Sequence, residues 1–553
     1  MYSLLKILQR NIQLADRLHN EGVFMCGFTT YISKKSMQEM KIHTEKIKYR
    51  GPDESRSIVL EDEVHLSFHR LSIMDLSENG MQPFTNEKLD ALVCNGEIYN
   101  FRNIKEKLLS ETTFNSESDC EVILPLYKKL GLAKLCRNLD GEFAFVIWDS
   151  QKKTFFAARD QIGIRPLFYA RSLENNSIAF SSEVKVLQGF CKDILPFPPG
   201  HFFDGQEFIS FDEVHKVKED KLINKSKALS GIKQLFTEAV VKRMSSDASV
   251  GYLLSGGLDS SIVCAIAARY SDKPLKTFAV GIEENPIDTK YAKIVADHIG
   301  SEHHEILFSK YDIFQSLHDL IYRLETFDIT TVRASIGMDL ICRYIKKNTD
   351  VKVLMTGECS DELFGYKYTD FAPSAFEFQN EASKRMEELY IYDVLRADRC
   401  ISSNSLEARV PFSDKAFAKF VMSIPSELKM NTTGHGKYLL RAAFETGDYL
   451  PHDILYREKA AFSDAVGHAS VDYLKDLAEM TVSKDELASA VKLYPHCTPK
   501  TKESYLYRKI FEEHFPNQAH LIKAIWMPNQ EWENCQVDDP SARALPNYGK
   551  SGI

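Results

Sequence analysis

Two domains of different class are predicted for this chain: an α+β domain of stacked antiparallel sheets between helices, then an α/β domain on a parallel sheet. Three observations predict it. The chain has 553 residues, more than one ordinary core supports. Residues 26 to about 205 carry short strand-like runs broken by Gly, Asn and Asp, as hairpin turns require. From about residue 228 apolar β runs alternate with helical segments, the pattern of parallel strands covered on both faces.

In order, the first 25 residues form an extension. Leu4, Leu5, Leu8, Ile12, Ala15 and Leu18 fall at roughly helical spacing, but no small-residue cleavage site follows. The first domain, 26–210, contains FTTYI, VHLSF, ALVCNGEIY, EFAFVIWD, TFFAAR, LFYA and SIAFSS as strands. A helix at Asp119 to Leu130 interrupts them. A charged linker, 211–227, leads to the second domain, 228–530, whose buried strands are VGYLLS, KTFAVGI and VKVLMTG. A tail, 531–553, contains Pro, Gly and Ser, and residues 535–553 are expected to be poorly ordered.

Composition excludes several classes. With 44% hydrophobic and 27% charged residues the chain reads as soluble and globular. Its net charge of −9 gives no basic field for nucleic acid, and no apolar run approaches the ~20 residues that span a bilayer. Eleven scattered cysteines without CxxC pairs argue against a zinc site or a disulfide framework, and point to reduced thiols in the cytoplasm.

The sharpest motif is Ser255-Gly256-Gly257-Leu258-Asp259-Ser260-Ser261, between a buried strand and a helix. Two glycines turn backbone N–H groups inward, and the helix start adds positive charge. Such a loop can hold a pyrophosphate, with Asp259 holding its magnesium. The heptad resembles the loop of enzymes that split ATP between the α and β phosphates; no GxxxxGK[ST] is present. Glu358, Asp361 and Glu362 follow a second strand, where such sheets bind ligands.

Cys26 alone reads as a core cysteine, but its companions change that reading. A thiolate attacks a carboxamide, and the Asn95 side chain with the Gly96 N–H can stabilise the oxyanion. Arg70, leading the run Leu71-Ser72-Ile73-Met74, can grip an α-carboxylate. Glu97 and Asp119 can accept from an α-ammonium.

Together these residues resemble the class II glutamine amidotransferases, an N-terminal-nucleophile fold. Followed by the pyrophosphate loop, they resemble the asparagine synthetases, in their bacterial-type, glutamine-hydrolysing branch. KYRGPDE (48–54), LDGEFAFVIWD (139–149), RDQIGIRPLFY (159–169), LETFDITTVRAS (324–335), LEARVPFSDK (406–415) and YREKAAFSDAVG (456–467) fit as well.

The resemblance implies that Cys26 releases ammonia from glutamine, held by Arg70 to Met74, Asn95 to Glu97 and Asp119. Aspartate and ATP would form β-aspartyl-AMP, and ammonia from an internal channel would displace AMP. Leu253, Val280, Thr356 and Gly357 would line the nucleotide pocket with Ser255, Gly256, Gly257, Asp259 and Ser260. Glu358 would take a proton from the attacking ammonia and Lys459 would stabilise the phosphate charge. Asp259 and Asp361 would hold Mg2+ with pyrophosphate. The sequence specifies no assembly; the resemblance suggests a homodimer.

Three departures stand out. Cys359 and Tyr366 occupy positions where the family has glycine, and Asn404-Ser405 stands where Trp-Gly is usual. The family's cysteine is also the mature N-terminus, so the functional chain is expected to begin at Cys26. Other readings are amination of a different carboxylate, an ammonia-dependent enzyme with a silent glutaminase, and an inactive binding protein.

Overall fold

The computed structural model describes residues 26–283, 287–458 and 468–548. The extension, 1–25, and Lys459 lie outside the described residues. The first half carries β1 (Gly27–Ile32), β2 (Glu54–Leu60), β3 (Val64–Arg70), β4 (Phe84–Thr85), β5 (Ala91–Ile98) and β6 (Gly141–Asp149). It continues with β7 (Thr154–Arg159), β8 (Phe168–Ser172), β9 (Ile178–Ser181), β10 (Cys191–Pro196), β11 (His201–Phe203) and β12 (Phe208–Ser210). They form two six-stranded sheets, ordered β10-β8-β9-β1-β3-β2 and β12-β11-β7-β6-β5-β4.

Period-two patterning explains the stacking. On β5 and β6, Ala91, Val93, Ala144 and Val146 face the other sheet and meet Phe28, Leu66 and Phe68. The alternate residues Leu92, Cys94, Phe143, Phe145 and Ile147 face outward onto Ile123, Leu126 and Leu135 of the covering helices. Both faces are therefore apolar, and the pair forms the buried floor of the domain.

The second half has one sheet, β15-β14-β13-β16-β17. Its members are β13 (Ser249–Leu253), β14 (Lys276–Ile282), β15 (Glu302–Phe308), β16 (Val351–Met355) and β17 (Glu407–Arg409), all parallel. Helices cross between them, beginning with Leu258–Tyr270, which buries residues all round its axis. The loops after β13 and β16 thus emerge side by side at the C-terminal edge, where open α/β sheets bind ligands.

Buried ion clusters join the halves. Arg50, fully buried, pairs with Glu183 at 2.7 Å and with Asp398 of the second half at 3.0 Å. Arg409 pairs with Glu97 and with Glu407, each at 2.9 Å. The stretch 211–227 is not a free tether: Val214 is buried, and Asp212 pairs with Lys419 at 2.5 Å.

The expectation of a loose tail fails for the part described. Trp532, Cys535 and Leu545 are buried against Tyr368, Ala372 and Phe378. Lys367 donates to Asn547 O at 3.3 Å, and Asn547 donates back to Lys367 O at 2.7 Å. A few large apolar side chains hold the segment despite its turn-rich composition.

Lys429 carries a stability prediction. It is 3% exposed, and among the described residues its ammonium donates only to Gln379 Oε1 at 2.8 Å and Val421 O at 3.3 Å. Burial drives it down to about 7, although distant Glu219 pulls the other way. The unfolded chain keeps a value near 10.4 and binds the extra proton, so stability rises with pH from about 7 to about 10. Below that window the penalty is fully present. Lys429→Met is expected to gain about 2 to 3 kcal/mol at neutral pH and to flatten this rise. Denaturant melts at pH 7 and pH 9.5 check it.

Candidate functional site

Two sites occur. The first lies where β1, β3 and β5 begin or end. Cys26 precedes β1 and is partly covered; its sulfur accepts from Leu71 N at 3.2 Å, and its carbonyl accepts from Arg50 Nε at 3.0 Å. Burial around the sulfur pushes the thiol up to about 12; the Leu71 amide opposes this only in part. At neutral pH the sulfur is protonated and needs a base to become a nucleophile.

Asn95 is 1% exposed on β5, and its Nδ2 has no hydrogen-bond partner among the described residues. A buried donor without a partner is costly, which marks a place built for an acceptor. Gly96 has φ +153°, and a Cβ there would meet Glu142 O at 2.2 Å, so only glycine fits. Arg70, buried at the end of β3, donates to Ser77 O at 2.6 Å and to Asp75 O. Leu71, Ile73 and Met74 pack in one cluster with Cys94, next in sequence to Asn95.

Glu97 and Asp119 are brought together. Burial, then the charge of Asp119, raises the Glu97 carboxyl well above its usual range; Arg409 opposes this. Burial also raises Asp119, to about 6, against the Ile98 amide it accepts from at 2.6 Å. Each raised carboxyl would be drawn back toward its charged form by a cation placed beside it.

The second site is a cleft of about 1840 Å³, counting its open mouth. Leu253, Ser255, Gly257, Asp259, Ser260, Val280, Thr356 and Gly357 all line it, with Glu358 and Asp361. Gly256 has a different part. At φ +70° it packs against the helix behind, where a Cβ would meet Ala292 N at 2.4 Å. Gly357 allows the two loops to touch, since a Cβ there would lie 2.9 Å from Ser260 N. The hydroxyls of Ser255 and Ser260 lie 3.0 Å apart and brace the loop from within: Ser260 Oγ accepts from Ser255 N at 3.2 Å, and Ser255 Oγ accepts from Gly257 N at 3.3 Å.

Lys437, which no motif in the sequence singles out, is central. Its ammonium lies 2.8 Å from Asp259 Oδ1, 2.6 Å from Asp361 Oδ1 and 2.9 Å from Ser360 Oγ. Glu358 pairs with Arg396 at 2.5 Å. Arg396 sits on helix Asp393–Ser402, whose Asp398 and Ser402 hold Arg50, and Arg50 holds the Cys26 carbonyl. One helix therefore spans the two sites. Arg333 also lines the cleft, with its Nε and Nη2 engaged by Glu503 at 2.8 and 2.7 Å. It binds Asp539 at 2.9 Å and Ser541 at 2.7 Å, so the C-terminal segment closes one wall.

Cys359, which stands where the family has glycine, is buried in the cleft lining at φ +73°. Tyr366 lines the same cleft. Asn404, at the other departure, is buried and donates to Asp339 Oδ1 at 2.7 Å.

Comparison with known proteins bears on both sites. A family model described as a glutamine amidotransferase domain matches residues 25–196. One described as asparagine synthase matches 231–382 and 372–542. A protein of Cricetulus griseus named asparagine synthetase [glutamine-hydrolyzing] is 40% identical over 95% of this chain and 99% of its own length.

The chain belongs to the asparagine synthetase family.

Relatives of the same name from Homo sapiens and Gallus gallus are each 39% identical, over 96% of this chain and 100% of their own. The first site lies in the amidotransferase half of this family member and the second in its synthase half. Among the described residues, no helix is long and apolar enough to cross a membrane.

Proposed function

We propose that this chain makes L-asparagine from L-aspartate, with ATP as activator and the amide of L-glutamine as nitrogen source. The observation that carries the reading is the coexistence of two sites in one family member. One has a thiol packed in the same cluster as Cys94, whose neighbour Asn95 carries a buried donor with no partner among the described residues; the other is a cleft with a pyrophosphate-type loop facing two carboxylates.

In the first, the Cys26 sulfur attacks the glutamine side-chain carbonyl carbon. Asn95 Nδ2 and Gly96 N stabilise the oxyanion, ammonia leaves, and water hydrolyses the thioester to glutamate. Arg70 grips the α-carboxylate, with Leu71 to Met74 as the wall beneath it, while Glu97 and Asp119 accept from the α-ammonium. In the second, an aspartate β-carboxylate oxygen bonds to the α-phosphorus and pyrophosphate leaves. Ammonia reaching the cleft by an internal channel then bonds to the acyl carbon, AMP leaves, and Glu358 takes the extra proton.

Magnesium suits the second site. Asp259 and Asp361 already converge on one cation, the Lys437 ammonium. Among the described residues no three His, Cys, Asp or Glu side chains form a metal cage. That matches an ion bound through one or two carboxylates plus phosphate oxygens. Bound there, Mg2+ would neutralise charge on the leaving pyrophosphate. Lys437 adds a fixed positive charge beside it, and Lys459 is assigned the same task at the α-phosphate. We assign the two halves to 26–210 and 228–530, the joining stretch to 211–227, a cytoplasmic location, and a homodimeric assembly by family analogy.

One observation favours a second reading. The Cys26 thiol, pushed up to about 12, has only the Leu71 backbone as its hydrogen-bond partner among the described residues. The base we assign is the α-amino group of Cys26, freed when the chain starts there. With residues 1–25 attached that nitrogen is an amide, and the enzyme uses ammonia alone. Asparagine and AMP formation from aspartate and Mg-ATP, with glutamine or ammonium in parallel, separates the readings. Product from both donors supports the first, product from ammonium alone the second. No asparagine from either donor overturns both.

A further inference from the structure

The irregular strip Leu71–Asp75, which follows β3, is fastened by the other half of the molecule. Asp247 stands just before β13 and Lys352 is the second residue of β16. Asp75 N donates to Asp247 Oδ2 at 2.9 Å, and Asp247 N donates back to Ile73 O at 3.2 Å. Lys352 Nζ donates to Ser72 O at 3.4 Å and to Asp53 Oδ2 at 2.7 Å. The same Asp53 oxygen accepts from Ser72 N at 2.9 Å. Between these two anchors, Val250 and Val353 of the same strands pack into the cluster that holds Leu71, Ile73 and Met74.

The strip in turn sets Arg70, because Asp75 O and Ser77 O accept from its guanidinium. A bidentate grip on a carboxylate needs its fork fixed in place and direction. Loop backbone supplies that only when the loop itself is held, and misplacement of about 1 Å costs far more than one lost contact. Here Asp247 and Lys352 of the synthase half share that holding with Asp53 of the amidotransferase half.

We propose that Asp247 and Lys352 are positioning residues for glutamine hydrolysis, so that the synthase half completes the substrate pocket of the amidotransferase half. The inference rests on the reading of Arg70 as the grip for the glutamine α-carboxylate. Its further content is architectural. β13 and β16 carry the strip at one end and the Ser255–Ser260 and Thr356–Glu358 loops at the other, so both sites are built on the same two strands.

Asp247 is exposed and Lys352 half-buried, so their replacement spares the core. In the full chain, Asp247→Ala and Lys352→Met are each expected to raise KM for glutamine about 3- to 10-fold. Glutaminase kcat and ammonium-dependent synthesis should stay within about twofold of the parent, and Asp247→Asn and Lys352→Arg should restore KM. Unchanged KM in both variants overturns the inference. So does a parallel fall in glutaminase kcat and ammonium-dependent synthesis, which marks a merely structural role. Arg70→Gln separates the underlying reading: if it leaves KM for glutamine unaltered, the site assignment fails, whatever Asp247 and Lys352 do.

Discussion

Cys26→Ala is expected to end glutamine-dependent asparagine formation while ammonium-dependent formation stays within about twofold of the parent. Removing a nucleophile costs on the order of 10⁴-fold or more in turnover, because no neighbouring group replaces the covalent step. The fold tolerates the change. The sulfur's one strong contact is the Leu71 amide at 3.2 Å, and leaving that N–H unmet costs about 1 kcal/mol. The cleft holding Asp259, Asp361 and Lys437 does not touch Cys26. Glutamate release and asparagine formation, measured side by side with each donor, give the answer. Residual glutamine-dependent synthesis near the parental rate would remove Cys26 from the mechanism.

Arg409→Met is the second large effect, and it combines stability with binding. Arg409 is fully buried, pairs with Glu97 and Glu407, and donates to the carbonyls of Arg243 at 2.8 Å and Ser245 at 2.6 Å. Breaking a buried pair by removing one partner costs about 3 to 5 kcal/mol, since the remaining charge stays uncompensated. Glu97 would then rise further, because Arg409 is the main group holding it down. A neutral carboxyl is a poor acceptor for an ammonium, so KM for glutamine should increase about tenfold or more at pH 7.

The pH dependence has a definite sign. Asp119, raised to about 6, gains its charge as pH rises through that value. Glutamine KM in the parent should therefore fall from pH 5.5 to pH 7.5. In the Arg409 variant the fall should move to higher pH. Initial-rate glutaminase assays across pH 5.5 to 8.5 test both, and a flat KM in the parent would overturn the role of the two carboxyls.

The parts of the fold legible in the sequence are those in which local pattern and tertiary demand agree. β5 and β6 read as strands because Ala91 to Cys94 and Phe143 to Trp148 are apolar on both faces. The loop after β13 reads as a nucleotide loop because glycine, serine and aspartate have few other reasons to occur together between a strand and a helix. β15 is not legible because Glu302, His303, His304 and Glu305 open this edge strand and leave it only the short run Ile306 to Phe308. β17 is three residues long, below any useful window.

The site residues divide the same way. Cys26, Arg70, Asn95, Asp259 and Glu358 stand in compact motifs. Lys437 lies in a loop far along the chain from Asp259 and Asp361, and only the fold brings its ammonium to them. Arg409, Asp247 and Lys352 act across the domain junction, which no local pattern encodes. The tail misled for another reason: its turn-forming composition is real, but Trp532, Cys535 and Leu545 outweigh it once a hydrophobic surface is available.

The closing wall of the nucleotide cleft sets an order of events during synthesis of the protein. Trp526, Pro540 and Ser541 line the cleft, and Asp539 and Ser541 complete the coordination of Arg333. The ribosome delivers these residues long after β13 and its loop, while the amidotransferase half has had time to fold. A nascent chain thus passes through a stage with a finished ammonia-releasing half and an unwalled cleft.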